Sequence, residues 1–177
     1  MKSSLFFLIW MCLVGINTGL LAQSPEDRLA DMGITLYPTR TPVANYVPVV
    51  RTGNLLFLSG TGPFGADGQL TAIGKVGADL TIEEGVEAAR ITAIRQISVL
   101  KATLGDLSKV KRIVKVLGMV QCSDTFYQQP IVINGYSDMM VAVFGEAGKH
   151  ARSAVGMYSL YLNMPVEVEM IVEIEED

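Results

Sequence analysis

The stretch from Gly145 to Glu169 gathers the residue types best suited to chemistry. It holds His150, the single His of the chain, then Arg152, and closes on Val166-Glu167-Val168-Glu169. Arg152 stands where a loop that follows Gly145 and Gly148 enters a strand. A planar guanidinium that stays charged is a natural fork for a carboxylate, although on residue type alone a surface ion pair is the commoner use. The last strand alternates. Val166, Val168, Met170, Val172 and Ile174 point one way; Glu167, Glu169, Glu173 and Glu175 point the other, with Ile171 among them. Periodicity therefore assigns all four acids to solvent and singles out none.

Other devices fail on their own mechanics. One His and one distant Cys, Cys122, make no metal-ligand cluster of the usual kinds. A Ser/His or Cys/His nucleophile would have to use His150, and nothing in the sequence places Cys122 or a Ser beside it. The His reads as a surface residue, and paired-histidine nuclease chemistry cannot be built from it. Gly60-Thr61-Gly62-Pro63-Phe64-Gly65 spells a dinucleotide fingerprint. Its glycines would have to open a helix, whereas Pro63 and Asp67-Gly68 make turns and the helix starts only at Thr81. Gly68 to Lys75 imitates a P-loop, with one residue too many and Val76 where a Ser or Thr would meet magnesium. No cofactor or metal is expected.

The elements that must position these residues begin after an apolar leader. Lys2 supplies a positive start and Leu5 to Val14 an unbroken apolar core; Gly15, Asn17, Thr18 and Gly19 follow, then Ala22 before Gln23. That order predicts a secretory signal peptide over residues 1–22, cut after Ala22, and an exported chain, periplasmic or secreted. The core is too short to span a membrane comfortably, and Cys12 lies inside it rather than at the cut, so no stable membrane anchor is expected. Residues 23–43 read as an N-terminal helix and linker, and residues 44–177 as one domain. With only Cys122 left, no intramolecular disulfide is possible, so stability must come from packing and subunit contacts. The formal charge of −4 and pI near 5.0 count against a nucleic-acid footprint.

Within the domain, Ser24 and Pro25 open a short helix that Gly33 ends. Tyr46 to Val50 reads as a strand that Pro48 marks as an edge. Asn54 to Ser59 reads as a second, buried on both faces because Leu55 to Leu58 is apolar throughout. Gln69 to Ile73 reads as a third, short strand. Thr81 and Glu84 form a capping box for a long helix whose stripe runs from Ile82 to Leu104. Val110 to Val120 is a strand with Lys109, Lys111, Arg112 and Lys115 on a solvated edge or rim. A helix from Gln129 to Phe144 follows, then strands at Ser153–Tyr161 and Val166–Ile174. Two helices with one stripe each want one sheet face, which predicts an α+β two-layer sandwich.

These residues resemble a known family. Tyr46, Arg51-Thr52-Gly53-Asn54-Leu55-Leu56-Phe57-Leu58-Ser59-Gly60, Asn134-Gly135-Tyr136, Ala151-Arg152-Ser153-Ala154-Val155 and Val166-Glu167-Val168-Glu169 follow the order and spacing of the Rid family. That family is also called YjgF or L-PSP, the enamine/imine deaminases. The likeness runs from about Pro42 to Glu173. It implies a chorismate-mutase-like fold with a mixed sheet, a homotrimer, and active sites in clefts between subunits. It implies that Arg152 holds the substrate carboxylate, that Tyr46, Ser59, the Gly60 backbone and Ala154 line the pocket, and that Asn134 orders the cleft. Glu167 would position and activate the attacking water. Two positions depart from the pattern: Ala154 stands where many members carry Cys or Thr, and Leu160-Tyr161 where Leu-Pro is usual. The implied reaction converts a 2-imino or enamino acid and water into a 2-oxo acid and ammonia. The alternatives are a non-catalytic trimer that binds small carboxylates or acts as a stress or chaperone-like protein, and, more weakly, an endoribonuclease.

Overall fold

A computed structural model of the chain describes residues 23–39 and 44–176. The leader, its cleavage point, Cys12 and the part of the linker at 40–43 lie outside the described residues. Helix α1, Pro25–Asp31, opens with the expected cap: Ser24 accepts from the Asp27 N–H and the Asp27 side chain returns the bond. α1 then acts as a clamp. Glu26 accepts from Lys101 Nζ at 2.7 Å and from the Leu107 N–H at 2.8 Å, and Arg28 donates to the Val143 carbonyl at 3.1 Å.

Five strands form one mixed sheet: β1 (Val49–Thr52), β2 (Leu55–Thr61), β3 (Val110–Gln121), β4 (Ala151–Met157) and β5 (Val166–Ile174). Their order is β1-β2-β5-β3-β4, antiparallel except for the β3–β4 pair. Helices α2 (Ile82–Leu104) and α3 (Gln129–Phe144) cover one face. Their stripes meet alternate residues of the strands in a core that includes Leu56, Ile97, Val116, Ile133, Tyr136, Met140, Val168 and Val172. Gly135 lets the two helices approach closely, because a Cβ there would overlap the Val86 carbonyl oxygen. The α+β two-layer sandwich is thus the observed architecture, and α2, α3 and β5 run within the expected limits.

Four local readings are corrected. The first strand begins at Val49, not Tyr46: Pro48 has no N–H to give a ladder, and Tyr46 to Pro48 form a loop whose Pro48 carbonyl accepts from the Ser59 N–H at 2.9 Å. β2 is not buried on both faces; Leu56 and Leu58 are, but Phe57 is 41% exposed on the face the helices leave open. Residues 69–73 form no strand, only a bridge between Phe64 and Leu70. β3 lies between β5 and β4, but β4 pairs only with Lys115 to Gln121, so Lys111 and Arg112 stand on the exposed rim expected for them and Lys115 alone is enclosed. Lys111 and Arg112 pair with Glu173 at 2.8 and 3.4 Å, and Lys115 is half-buried with Nζ on Ser153 Oγ at 2.9 Å. In addition, β4 starts at Ala151 and stops at Met157, which leaves Tyr161 in a 3-10 turn.

Candidate functional site

The site residues fall into two groups. The first surrounds a break in the sheet. Pairing of β2 with β5 steps from Leu58↔Met170 to Thr61↔Val168, so β2 carries one residue too many at Ser59-Gly60. Such a bulge bends its strand and re-aims side chains. Here it opens a cavity of about 430 Å³, lined by Tyr46, Ser59, Gly60 and Glu167 among others. The bulge is held from beneath by Gln96, whose amide donates to the Ser59 carbonyl at 3.2 Å and to the Val168 carbonyl at 2.6 Å. The Ser59 hydroxyl donates to the Val47 carbonyl at 2.8 Å.

Gly60 presses against the Glu167 carboxylate; a Cβ at position 60 would overlap Glu167 Oε1. Glu167 belongs to the polar row of β5, yet it is half-buried. Among the described residues its carboxylate has no hydrogen-bond or ion-pair partner. Burial, and to a smaller degree the neighbouring charge of Glu169, holds its pKa above the usual 4.5. Alternation alone could not separate this acid from Glu169 or Glu173, because the bulge that encloses it lies on another strand.

The cavity rim is unusual backbone. Leu162 and Asn163 both lie in the left-handed region, at φ 53° and 59°. Their turn is pinned by the buried Gln121, which donates to Asn163 Oδ1 and accepts from the Leu160 N–H, and by the Gly74 N–H on the Asn163 carbonyl at 2.8 Å. Leu160-Tyr161 leads into this turn. Arg95, on the inner face of α2, fixes the opposite wall. Its guanidinium donates to the Pro38, Phe64 and Gly65 carbonyls and lies 5.0 Å from the centre of the Tyr37 ring. Neither Arg95 nor Gln96 was legible as a site residue, since a polar residue beside an apolar helical stripe reads as solvated.

The second group sits at the β4 edge. Arg152 Nη1 donates to Asn134 Oδ1 at 2.9 Å and to Ser137 Oγ at 3.0 Å, and Nη2 reaches the Pro130 carbonyl at 3.3 Å. Nε–H has no partner among the described residues. Nε and Nη2 together form the side-on fork that a carboxylate fits. His150 completes the network: Nδ1 lies 2.7 Å from the Gly148 carbonyl and Nε2 lies 3.0 Å from Ser137 Oγ. A carbonyl only accepts, so the neutral ring carries its proton on Nδ1 and Nε2 accepts from Ser137. The serine can then take Arg152 on a lone pair. Burial and the charge of Arg152 lower the His150 pKa below 6.5, against the opposing pull of the Gly148 carbonyl. The His is therefore not the isolated surface residue expected, and a Ser does stand beside it. The α3–β4 connection folds back and supplies the neighbour.

Asn134, Ser137 and His150 surround Arg152, and Ala154 lies on the same strand face, half-buried against the core. The two groups do not meet within one chain. Arg152 pairs with Val116 and Glu167 with Met119, on opposite sides of β3. Two strand spacings and three residues along the strand put their Cα atoms on the order of 14 Å apart. The offset of three residues also turns them to opposite faces. Among the described residues no three His, Cys, Asp or Glu side chains gather where they could hold a metal ion.

Comparison with known proteins places this geometry. Residues 26–174 match the profile of a family described as "YjgF/chorismate_mutase-like, putative endoribonuclease". The chain is 43% identical over 147 residues to Protein TCP17 of Trypanosoma cruzi, covering 82% of this chain and 91% of that one. The solved structure of Atu1372 from Agrobacterium tumefaciens, a protein described as of unknown function, is 43% identical with a TM-score of 0.79, over 86% of this chain and 94% of that one. A structure from Shewanella oneidensis MR-1, described as "a putative endoribonuclease", is 32% identical with a TM-score of 0.82, over 85% of this chain and 99% of that one. With this sheet order, these helices and a family match that spans nearly every described residue, the chain belongs to the YjgF/L-PSP family and has its chorismate-mutase-like fold.

Proposed function

We propose that this chain hydrolyses 2-imino and enamino acids to 2-oxo acids and ammonia, in a homotrimer where the Glu167 cavity of one copy faces Arg152 of the next. The observation that carries the reading is the Glu167 carboxylate, half-buried, unpaired among the described residues, and set against Gly60 in a cavity that also holds Tyr46 and Ser59. A carboxylate so placed is a base in search of a proton. The exposed Val50, Phe57 and Val155 on the open sheet face supply an apolar surface for the other copies to cover.

The chemistry asks little of the protein. The imine carbon is already electrophilic. The Arg152 fork of a neighbouring copy anchors the substrate carboxylate, and Glu167 takes a proton from the attacking water as the new C–O bond forms. That proton passes to nitrogen as the C=N π bond opens to a carbinolamine; Glu167 then carries the proton of the new hydroxyl to the same nitrogen, the C–N bond breaks as C=O forms, and ammonia leaves with the 2-oxo acid behind. Asn134, Ser137 and the neutral His150 hold the guanidinium in place throughout.

The test generates imino acid with an amino-acid oxidase and follows the loss of semicarbazone trapping as protein is added. Acceleration that disappears in Arg152→Ala supports hydrolysis. Tight 2-oxobutanoate binding without turnover would make the protein a carboxylate-binding module instead. Cleavage of single-stranded RNA without imine hydrolysis would replace the reading with the endoribonuclease wording attached to its relatives.

A further inference from the structure

We propose that the Glu167 cavity selects 2-imino acids bearing a bulky apolar or aromatic side chain over 2-iminopropanoate; the inference rests on the hydrolase reading above. A 2-imino acid has three groups on its reacting carbon. The carboxylate faces the Arg152 fork at the mouth and the nitrogen must stay within reach of the proton that Glu167 removes. The side chain is then the one group left to enter the cavity.

The cavity is built for such a group. It measures about 430 Å³; Leu58, Phe64, Val99 and Met164 line it with Leu162 at the rim, beside the smaller Ser59, Thr61 and Gly62. An apolar space of about 150 Å³ already takes benzene. The polar groups nearest that wall are engaged with the protein: Gln96 holds the Ser59 and Val168 carbonyls, and Arg95 holds those of Pro38, Phe64 and Gly65. Water beside those apolar side chains would find few partners, and a methyl side chain would leave most of the space unfilled. A ring or a long aliphatic chain displaces that water and meets Met164, whose flexible thioether adapts to different shapes. Tyr46 and Tyr161 stand at the rim, 52% and 64% exposed, where they flank an incoming ring.

The experiment compares kcat/KM of the full assembled protein for imino acids generated from phenylalanine and methionine with that from alanine. The bulky substrates are expected to lead by about tenfold or more, the discrimination that apolar pockets deliver per filled group. Val99→Phe, which fills the wall from α2, is expected to lower that ratio about tenfold. Binding of phenylpyruvate and pyruvate, measured by calorimetry, gives the same ranking without turnover. A preference for the alanine product, or equal rates with equal binding, would overturn the inference while the hydrolase reading stands. No acceleration of any imine would overturn that reading, and tighter phenylpyruvate binding would then still support the bulky-group pocket.

Discussion

Glu167 and Arg152 are the two charged groups on which the proposed chemistry depends, and the fold treats them in opposite ways. The guanidinium is tied by Asn134, Ser137 and the Pro130 carbonyl, with His150 behind the serine. The carboxylate is held by shape alone, wedged against Gly60 without a partner among the described residues. The contrast suits the tasks proposed for them. A cation that must grip a carboxylate gains from being immobilised beforehand, since less freedom is lost on binding. A base must keep its lone pairs uncommitted, and a hydrogen bond to the charged form would lower the pKa that burial raises. The same sheet supplies both environments, one by a bulge and the other by a helix laid across a strand edge.

Substitutions break this contrast in graded steps. Glu167→Gln is expected to lower kcat by about 10²–10⁴, up to the whole acceleration, while leaving the thermal midpoint unchanged or raised, because a half-buried charge is removed. The trapping assay and a melting curve together check it; a lowered midpoint with intact activity would make Glu167 a structural residue. Arg152→Ala is expected to cost about 30- to 5,000-fold in kcat/KM, the range for losing one partner of a hydrogen-bonded charge pair. Gly60→Ala should fold, since the obstacle is the end of a flexible side chain, yet lose about tenfold as the carboxylate is pushed off its place. Tyr46→Phe removes one hydroxyl and should cost only about two- to tenfold. A loss equal to that of Arg152→Ala would reverse the roles given to them.

The smallest effect is on stability against pH. The folded pKa of His150 is lowered, so below 6.5 the unfolded chain binds the extra proton first. Its contribution is complete above 6.5 and lost as pH falls from there through the folded value. Glu167 acts in the opposite sense: its raised pKa makes stability fall as pH rises from 4.5 through the folded value. Denaturant titrations of the wild type, His150→Gln and Glu167→Gln across pH 4–8 separate the two. A wild-type profile unchanged by His150→Gln would contradict the half-buried Ser137–His150 pair.

Much of the fold is legible in the sequence because it rests on one-dimensional periodicity. The stripes of α2 and α3 and the alternation of β5 each contain their own signal. The site is legible only through the family likeness, and the reason is geometric. Ser137 and His150 meet because the chain doubles back after α3, and no spacing rule reports that. The bulge at Ser59-Gly60 appears only when β2 is laid against β5, more than a hundred residues later. Pro48 marks the edge strand correctly, since β1 ends the sheet order, but it lies just before that strand rather than inside it.

The left-handed turn at Leu162 and Asn163 bounds one side of the cavity, through Leu162. Leu162 stays in that well at a penalty of roughly 1–2 kcal/mol, Asn163 at less because its short polar side chain tolerates it, and the grip of Gln121 offsets the strain. A loop fastened against its own preference makes a poor shutter. On the proposed reading the aperture keeps a fixed gauge, and reactants would pass according to how neighbouring copies seat around it rather than by a swinging flap.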